Sequence, residues 1–230
     1  MLFDPLYIMI LAATGLMGFW ASWRVKRTFK HWSQIRNYSG RTGADIAREI
    51  LRRSGITDVK VEKVGGVLSD HYDPRHKVLR LSPDVYDGVS VSAAGVAAHE
   101  VGHALQHAQR YWPLQVRSYM APLAALGSNL SMIIFMIGAI VGAFGLVKIG
   151  IALFALMVVF TLITLPVEFD ASNRAKRLLP EMGMTSGGDG QGVSAVLNAA
   201  AWTYVAAAVA AIAQLVYLIV RSGLLGRSND

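Results

Sequence analysis

Long uncharged and mainly apolar runs alternate with charged segments along this chain of 230 residues. Four of the runs are long enough to hold a helix of about 20 residues, the length that crosses the hydrocarbon core of a bilayer. They are Pro5 to Trp23, Ser118 to Val147, Ile149 to Val167 and Gly190 to Val220. The pattern therefore predicts a mainly α membrane protein with about four transmembrane helices.

In residues 40–113 the apolar residues recur at short helix-like and strand-like spacings. This pattern predicts a small region of mixed α and β structure. Thr42 can cap a helix from about Ala44 to Arg53, where apolar residues share one face. Alternating apolar and polar residues then predict two short strands, one over residues 59–64 and one over Lys77 to Leu81. The segment His71 to Arg75 between them is predicted to form a turn.

Two features of this region are relevant to a site. Ser82-Pro83-Asp84 predicts a short helical turn, and Ser90 or Ser92 can cap the helix that follows. The strand Lys77 to Leu81 has two interpretations. It either offers an exposed edge that pairs with an extended peptide, or only packs against the next helix.

That next helix carries His99-Glu100-Val101-Gly102-His103, an H-E-x-x-H motif. Positions four apart share one helix face, so His99 and His103 can bind one metal ion. Glu100 is not needed as a ligand and suits a base that takes a proton from metal-bound water. The alternative is a buried helix whose histidines are satisfied by hydrogen bonds.

A hydrolytic zinc site usually needs a third protein ligand. His107 is about 12 Å from His99 along a straight helix, too far to share one ion. His31, His71 and His76 stay possible, although none lies in a ligand pattern. Glu168 directly follows the third apolar run, where a carboxylate either belongs to a site or is an interfacial charge.

Composition narrows the setting of such a site. The chain has 53% hydrophobic and 16% charged residues and no cysteine, so disulfides and thiolate ligands are excluded. The net charge of +7 comes from basic residues beside the first apolar run, which indicates a contact with the lipid bilayer and no nucleic-acid partner.

Basic residues also predict the topology. Of the Lys and Arg residues, 16 fall in residues 24–120 and 3 in residues 167–197, against only Lys148, Arg221 and Arg227 elsewhere. The positive-inside rule then places both of these segments in the cytoplasm. The predicted layout is an anchor at 1–23, a cytoplasmic region at 24–117, a transmembrane hairpin at 118–167, a cytoplasmic segment with a mobile loop at 168–192, and a last span with its tail at 193–230.

His99-Glu100-Val101-Gly102-His103 followed by Glu168-Phe169-Asp170-Ala171 resembles the gluzincins, in which a second helix supplies a glutamate ligand from an E-x-x-A element. More specifically, residues 69–75, 79–82, 96–100 and 165–172 are similar to the family of putative neutral zinc metallopeptidases of bacterial membranes. The resemblance extends from about Asp45 to Ala208. It implies a zincin-like fold for the cytoplasmic region, Zn²⁺ bound by His99, His103 and Glu168, and Glu100 as the catalytic acid/base.

One position departs from the wider gluzincin pattern. Four residues after the glutamate, many gluzincins carry an aspartate that orients a histidine ligand, whereas this chain has Ser172. Either Ser172 or Asp170 is expected to take that role. Tyr72, His71, Tyr86 and Arg174 are candidate donors to the oxyanion of the transition state.

The sequence thus predicts a multi-pass zinc metalloendopeptidase of the bacterial inner membrane with its active site on the cytoplasmic face. Its expected substrates are peptides or membrane proteins presented at that surface. The alternative is a catalytically silent zinc-binding membrane adaptor. The presence of Glu100 favours the enzyme, because a purely structural zinc site needs no base.

Overall fold

A computed structural model describes residues 4–224 of the chain, which is mainly helical. The helices are α1 (Pro5–Ser33), α2 (Gly43–Arg53), α3 (Pro83–Tyr86), α4 (Val91–Ala108), α5 (Trp112–Val141), α6 (Phe144–Glu181) and α7 (Asp189–Ser222). The strands are β1 (Lys60–Lys63), β2 (His71–Asp73) and β3 (Val78–Leu81). Four helices, α1, α5, α6 and α7, are long and apolar enough to cross a membrane.

The turn of the α5–α6 hairpin lies at Gly142. Helix α5 ends at Val141 and α6 begins at Phe144, so Lys148, which separates the two uncharged runs, does not mark the turn. Gly142 between them has φ of +71°, a left-handed conformation that glycine adopts without steric cost and that ends a helix. Lys148 instead belongs to the first turns of α6, with its ammonium over the Phe144 ring.

The chain forms two compact units. Within the described residues, one comprises 4–20, Gln115–Leu165 and 203–224, and the other Ala21–Leu114 and Pro166–Trp202. The first unit is built from the apolar parts of the long helices. Among the described residues its buried cluster contains Phe135, Ile151, Phe154 and Leu218.

The second unit contains the only sheet formed by the described residues, a three-stranded sheet in the order β1-β3-β2. Strand β1 runs parallel to β3, and β2 runs antiparallel to it with Tyr72 opposite Leu79. The predicted turn at His71 to Arg75 is confirmed for Pro74 and Arg75 but wrong for His71–Asp73, which form a strand before the chain reverses. Three residues are too few to produce a visible alternation of apolar and polar positions.

The position of β3 also decides between the two interpretations of Lys77 to Leu81. This strand is central, with β1 on one side and β2 on the other, so its backbone edge is not exposed. Val78, Leu79 and Leu81 are buried, and β3 contacts α4. The prediction of an exposed peptide-binding edge at β3 is wrong, and the strand packs against the helix.

The core of the second unit lies where α2, α4 and the sheet meet. Thr42 caps α2 as predicted, accepting a hydrogen bond from Asp45 N, and the apolar face of α2 packs inward through Ile46 and Ile50. The predicted helical turn after Ser82 is α3. Helix α7 begins at Asp189, so the last residues of the segment 168–192, which is predicted to contain a mobile loop, are helical.

Candidate metal centre

Helix α4 carries the H-E-x-x-H motif through the interior of the second unit. Ser90 begins the helix by accepting a hydrogen bond from Ala93 N, at 3.2 Å, which satisfies one of the exposed amides of the first turn. Small residues such as Ala94, Ala97 and Ala98 are fully buried. They keep the helix narrow, so neighbouring elements approach its backbone closely.

The closest approach of α6 to α4 is at Gly102. A Cβ atom at this position would be 2.7 Å from the carbonyl oxygen of Ala171, a distance that real side chains do not reach. Gly102 lies beside His103 in the chain, and Ala171 is one helical turn after Glu168. The missing side chain at Gly102 therefore lets α6 bring Glu168 to the two histidines.

The three residues that the sequence indicated as ligands come together. His99 Nε2 and His103 Nε2 are 3.3 and 3.6 Å from Glu168 Oε2, and one possible ligand atom from each residue lies within 4.8 Å of the others. Tetrahedral zinc with bonds near 2.0–2.2 Å separates neighbouring ligand atoms by roughly 3.3–3.6 Å. The donor set therefore fits a zinc ion, and it is the only such group among the described residues.

The second nitrogen of each imidazole is engaged on the side away from the cluster. His99 Nδ1 lies 3.1 Å from Ser172 Oγ, so the serine and not Asp170 contacts this histidine. His103 Nδ1 lies 3.0 Å from Gln106 Oε1. Both contacts leave Nε2 directed towards Glu168, which is the arrangement expected of a histidine metal ligand.

The electrostatics of the cluster are those of a carboxylate enclosed with two imidazoles. Burial acts to lower the pKa of His103, but the hydrogen bond and negative charge of Glu168 outweigh it, and the pKa is raised above its usual value. The side chain of Glu168 is only 4% exposed. A charge this deep requires cations, either protonated imidazoles or a metal ion.

Glu100 is also buried and has a second carboxyl group nearby. Asp70 accepts hydrogen bonds from the backbone amide of Ser82, at 2.7 Å, and from its hydroxyl. Burial and, to a smaller degree, the charge of Glu100 raise the pKa of Asp70. The segment before β2 is thus electrostatically coupled to the glutamate of the motif.

The remaining histidines do not join the cluster. His107 Nδ1 is 2.8 Å from the Tyr72 hydroxyl, and His76 pairs with Asp73. His71 contacts the carbonyl of Ser69, while the ring of His31 packs edge-on against Trp32. These partners account for His31, His71 and His76, which spacing alone could not exclude, and for His107.

The four candidate oxyanion donors each have another partner. Tyr72 contacts His107, and His71 contacts Ser69. The Tyr86 hydroxyl accepts a hydrogen bond from Arg48, and Arg174 donates to Asp170 and Gln109. Tyr72 contacts α4, the helix of the motif, through His107.

Gln106 is the residue at this centre that sequence reasoning missed. It is fully buried and makes hydrogen bonds to His103, Val167 and Asp170. Its signal in the sequence is a glutamine three residues after His103 in a helix rich in alanine. That spacing places both residues on one face.

Comparison with known proteins agrees with this geometry. A family model described as "Putative neutral zinc metallopeptidase" matches residues 7–223. A protein of Bacillus subtilis (strain 168) named "Putative membrane protease YugP" is 47% identical over 209 residues, which cover 91% of this chain and 92% of that protein. No solved structure gives a significant match.

The family match covers nearly the whole chain, including α4, α6 and every residue of the cluster. The relative is similar over almost its full length, so the likeness is not confined to one motif. The chain therefore belongs to the family of putative neutral zinc metallopeptidases.

Proposed function

We propose that this protein is a membrane-embedded, zinc-dependent metalloendopeptidase that hydrolyses peptide bonds of membrane-associated proteins or peptides. Its ligands to Zn²⁺ are His99, His103 and Glu168, and its general base is Glu100. The observation that carries the proposal is the convergence of the three donor atoms, with each histidine Nε2 3.3–3.6 Å from Glu168 Oε2 and both Nδ1 atoms engaged elsewhere. Family membership supports it.

The zinc ion and the side chains would contribute differently to the reaction. Zinc bound by this donor set would supply a Lewis acid that activates water and polarises a carbonyl oxygen. Glu100 would accept the proton of the attacking water and pass it to the leaving amine. Ser172 and Gln106 would hold the imidazole rings, so that neither histidine needs to reorganise during turnover.

Substrate binding calls for an extended peptide beside α4, and β2 is the outer strand that suits this role. It contacts α4, and the Tyr72 hydroxyl reaches His107 on that helix. A peptide could add to the outer edge of β2 through main-chain hydrogen bonds. A photo-crosslinking amino acid at exposed His71 should then capture unfolded β-casein, whereas the same group at exposed Glu62 of β1 should not. Equal capture at both positions would contradict this arrangement.

The active site is proposed to face the cytoplasm of a bacterial cell, at its inner membrane. The support is the excess of Lys and Arg in residues 24–120 and 167–197. Because the chain has no cysteine, single cysteines report topology without background. Lys148→Cys should react with a membrane-impermeant maleimide in intact cells, and Arg75→Cys only after permeabilisation. Labelling of Arg75→Cys in intact cells would overturn the assignment.

The decisive experiment measures zinc content and proteolysis in the same detergent-purified samples of the full chain. We expect about one zinc per chain in wild type and in Glu100→Gln, and loss of zinc in Glu168→Ala. Hydrolysis of β-casein should occur in wild type alone. Circular dichroism of each variant checks that the helices are intact.

Two other outcomes have distinct meanings. Zinc in wild type without hydrolysis of casein or of any membrane-protein substrate, together with a Glu100→Gln variant that behaves identically, would favour the silent zinc-binding adaptor. Undiminished zinc in folded Glu168→Ala would show that the third ligand is wrong.

A further inference from the structure

Gln106 connects the two helices that carry the proposed zinc ligands. Its Oε1 lies 3.0 Å from His103 Nδ1 on α4. Its Nε2 donates to the carbonyl oxygen of Val167 and to Asp170 Oδ2 on α6, both at 2.8 Å. Val167 immediately precedes Glu168, so one side chain contacts a ligand histidine and the backbone beside the ligand carboxylate.

The chemistry of these neighbours fixes which way the amide points. A backbone carbonyl and an ionised carboxylate only accept hydrogen bonds, so the amide must direct its NH₂ group at Val167 and Asp170. Its oxygen is then left to face His103. An acceptor at that position requires a proton on Nδ1, which leaves the lone pair of His103 on Nε2, the atom beside Glu168.

Asp170, which accepts a hydrogen bond from the Gln106 amide, is itself bound by Arg174. Arg174 Nε donates to Asp170 Oδ2 at 2.5 Å, and Arg174 also donates to Gln109 and lies against the Tyr111 ring. The arginine pairs with Asp170 and holds Oδ2 in place as an acceptor. A hydrogen-bonded chain thus runs from Arg174 through Asp170 and Gln106 to His103.

We propose that Gln106 is a positioning residue that sets the tautomer of His103 and couples its position to that of Glu168. This role rests on the proposed function, because it acts through the zinc ligands. The side chain is fully buried, and each of its three polar contacts has a defined partner, so the geometry admits no alternative rotamer that would preserve them.

The test compares Gln106→Met with Gln191→Met. Methionine matches the length of glutamine but forms none of these hydrogen bonds, and Gln191 is an exposed glutamine in the first turns of α7, remote from the cluster in sequence. The readouts are zinc affinity by chelator competition and the visible absorption spectrum of the cobalt(II)-substituted protein, which reports ligand geometry. Neither depends on proteolytic activity.

We expect Gln106→Met to bind zinc about 10–100-fold more weakly than wild type and to change the cobalt spectrum. Gln191→Met should match wild type in both. A folded Gln106→Met variant with wild-type affinity and spectrum would overturn the proposal.

A second variant keeps the test valid if Gln106→Met does not fold. Asp170→Asn preserves the shape of the side chain but removes the charged acceptor that fixes the amide, and it touches neither histidine. We expect a smaller loss of affinity with a cobalt spectrum shifted in the same direction as for Gln106→Met. An unchanged affinity and spectrum in Asp170→Asn would overturn the proposal as well.

The outcomes also separate this proposal from the proposed function. Absence of zinc from wild type would contradict the metal centre itself. Zinc in wild type that is lost in Glu168→Ala, but bound normally by folded Gln106→Met, would leave the centre intact and remove only the role of Gln106.

Discussion

The two glutamates at the cluster are proposed to have different roles, ligand and general base, and single substitutions distinguish these roles. Glu168 Oε2 lies within 3.6 Å of both imidazole Nε2 atoms, whereas Glu100 adjoins His99 in the chain and is not needed as a ligand. A ligand holds the metal whether or not turnover occurs. A base contributes only when a proton moves.

Glu100→Gln should therefore retain zinc and lose activity. We expect kcat to fall by about 10²–10⁴-fold, the usual contribution of a general base, because glutamine cannot accept the proton of water. KM should change little, since the residue is not assigned to substrate binding. Steady-state hydrolysis of a fluorescent peptide or protein, normalised to zinc content, measures both parameters. A parallel loss of zinc would mean that Glu100 supports the ligand set instead.

At the scale of helices and strands, the contact between α4 and α6 determines whether the ligands meet. Gly102 faces the backbone of Ala171 so closely that no side chain fits. The histidines lie on one helix and the glutamate on the other. The separation of these two helices therefore controls the geometry of the metal centre.

Gly102→Ala should destabilise the protein and weaken zinc binding together. The added methyl group forces the helices apart, and overpacking of this kind costs about 1–3 kcal/mol. Gly190→Ala is the matched control, because a Cβ at Gly190 meets no atom within 4 Å. Thermal unfolding and chelator competition on both variants measure the effect. Equal behaviour of the two variants would contradict the close approach.

The reversal from β2 to β3 is stabilised by the carboxylate of Asp73. Hydrogen bonds from His76, above all that from its ring, and from Arg80 hold the pKa of Asp73 well below its usual range, against the opposing effect of burial. A carboxyl group with a lowered pKa in the folded state stabilises that state above its ordinary pKa, near 4. The contribution is lost as the pH falls further.

Asp73→Asn should accordingly reduce the dependence of the apparent melting temperature on pH below about pH 4. Wild type should lose apparent melting temperature between about pH 4 and pH 2, and Asp73→Asn should start lower and lose less over the same range. Asp84→Asn, at an exposed carboxylate of α3, controls for the removal of one charge. Parallel curves for wild type and Asp73→Asn would contradict the assignment.

For the whole molecule, the proposed ligands come from helices far apart in the chain. A metal that binds only where they meet stabilises the folded state by mass action, by about 2.7 kcal/mol when free zinc is 100 times its dissociation constant. Chelation should therefore lower the apparent melting temperature of wild type. It should leave Glu168→Ala unchanged, because that variant has no bound zinc to lose. An equal shift in both proteins would indicate that the chelator acts elsewhere.

Much of this architecture could be predicted from the sequence because its signals are local. Runs of about 20 apolar residues predict α1, α5, α6 and α7 from the length and hydropathy of each run alone. Thr42 and Ser90 mark helix starts through a side-chain hydrogen bond to a neighbouring amide. The fixed spacing of His99 and His103 places them on one face wherever the helix lies.

The features that could not be predicted depend on contacts between distant segments. The central position of β3 arises only because β1 and β2 pair with it on opposite sides, and β2 has only three residues from which to predict a strand. The carbonyl of Val167, which orients Gln106, carries no side-chain signal at all.

The division of the ligands between α4 and α6 has a consequence for biosynthesis. Glu168 follows His103 by 65 residues, so a ribosome that has just completed the H-E-x-x-H motif must still synthesise all of α5 and more than half of α6. Until then the nascent chain holds two imidazoles and no third ligand. The proposed zinc site therefore cannot be complete until Glu168 has been synthesised, well after the H-E-x-x-H motif.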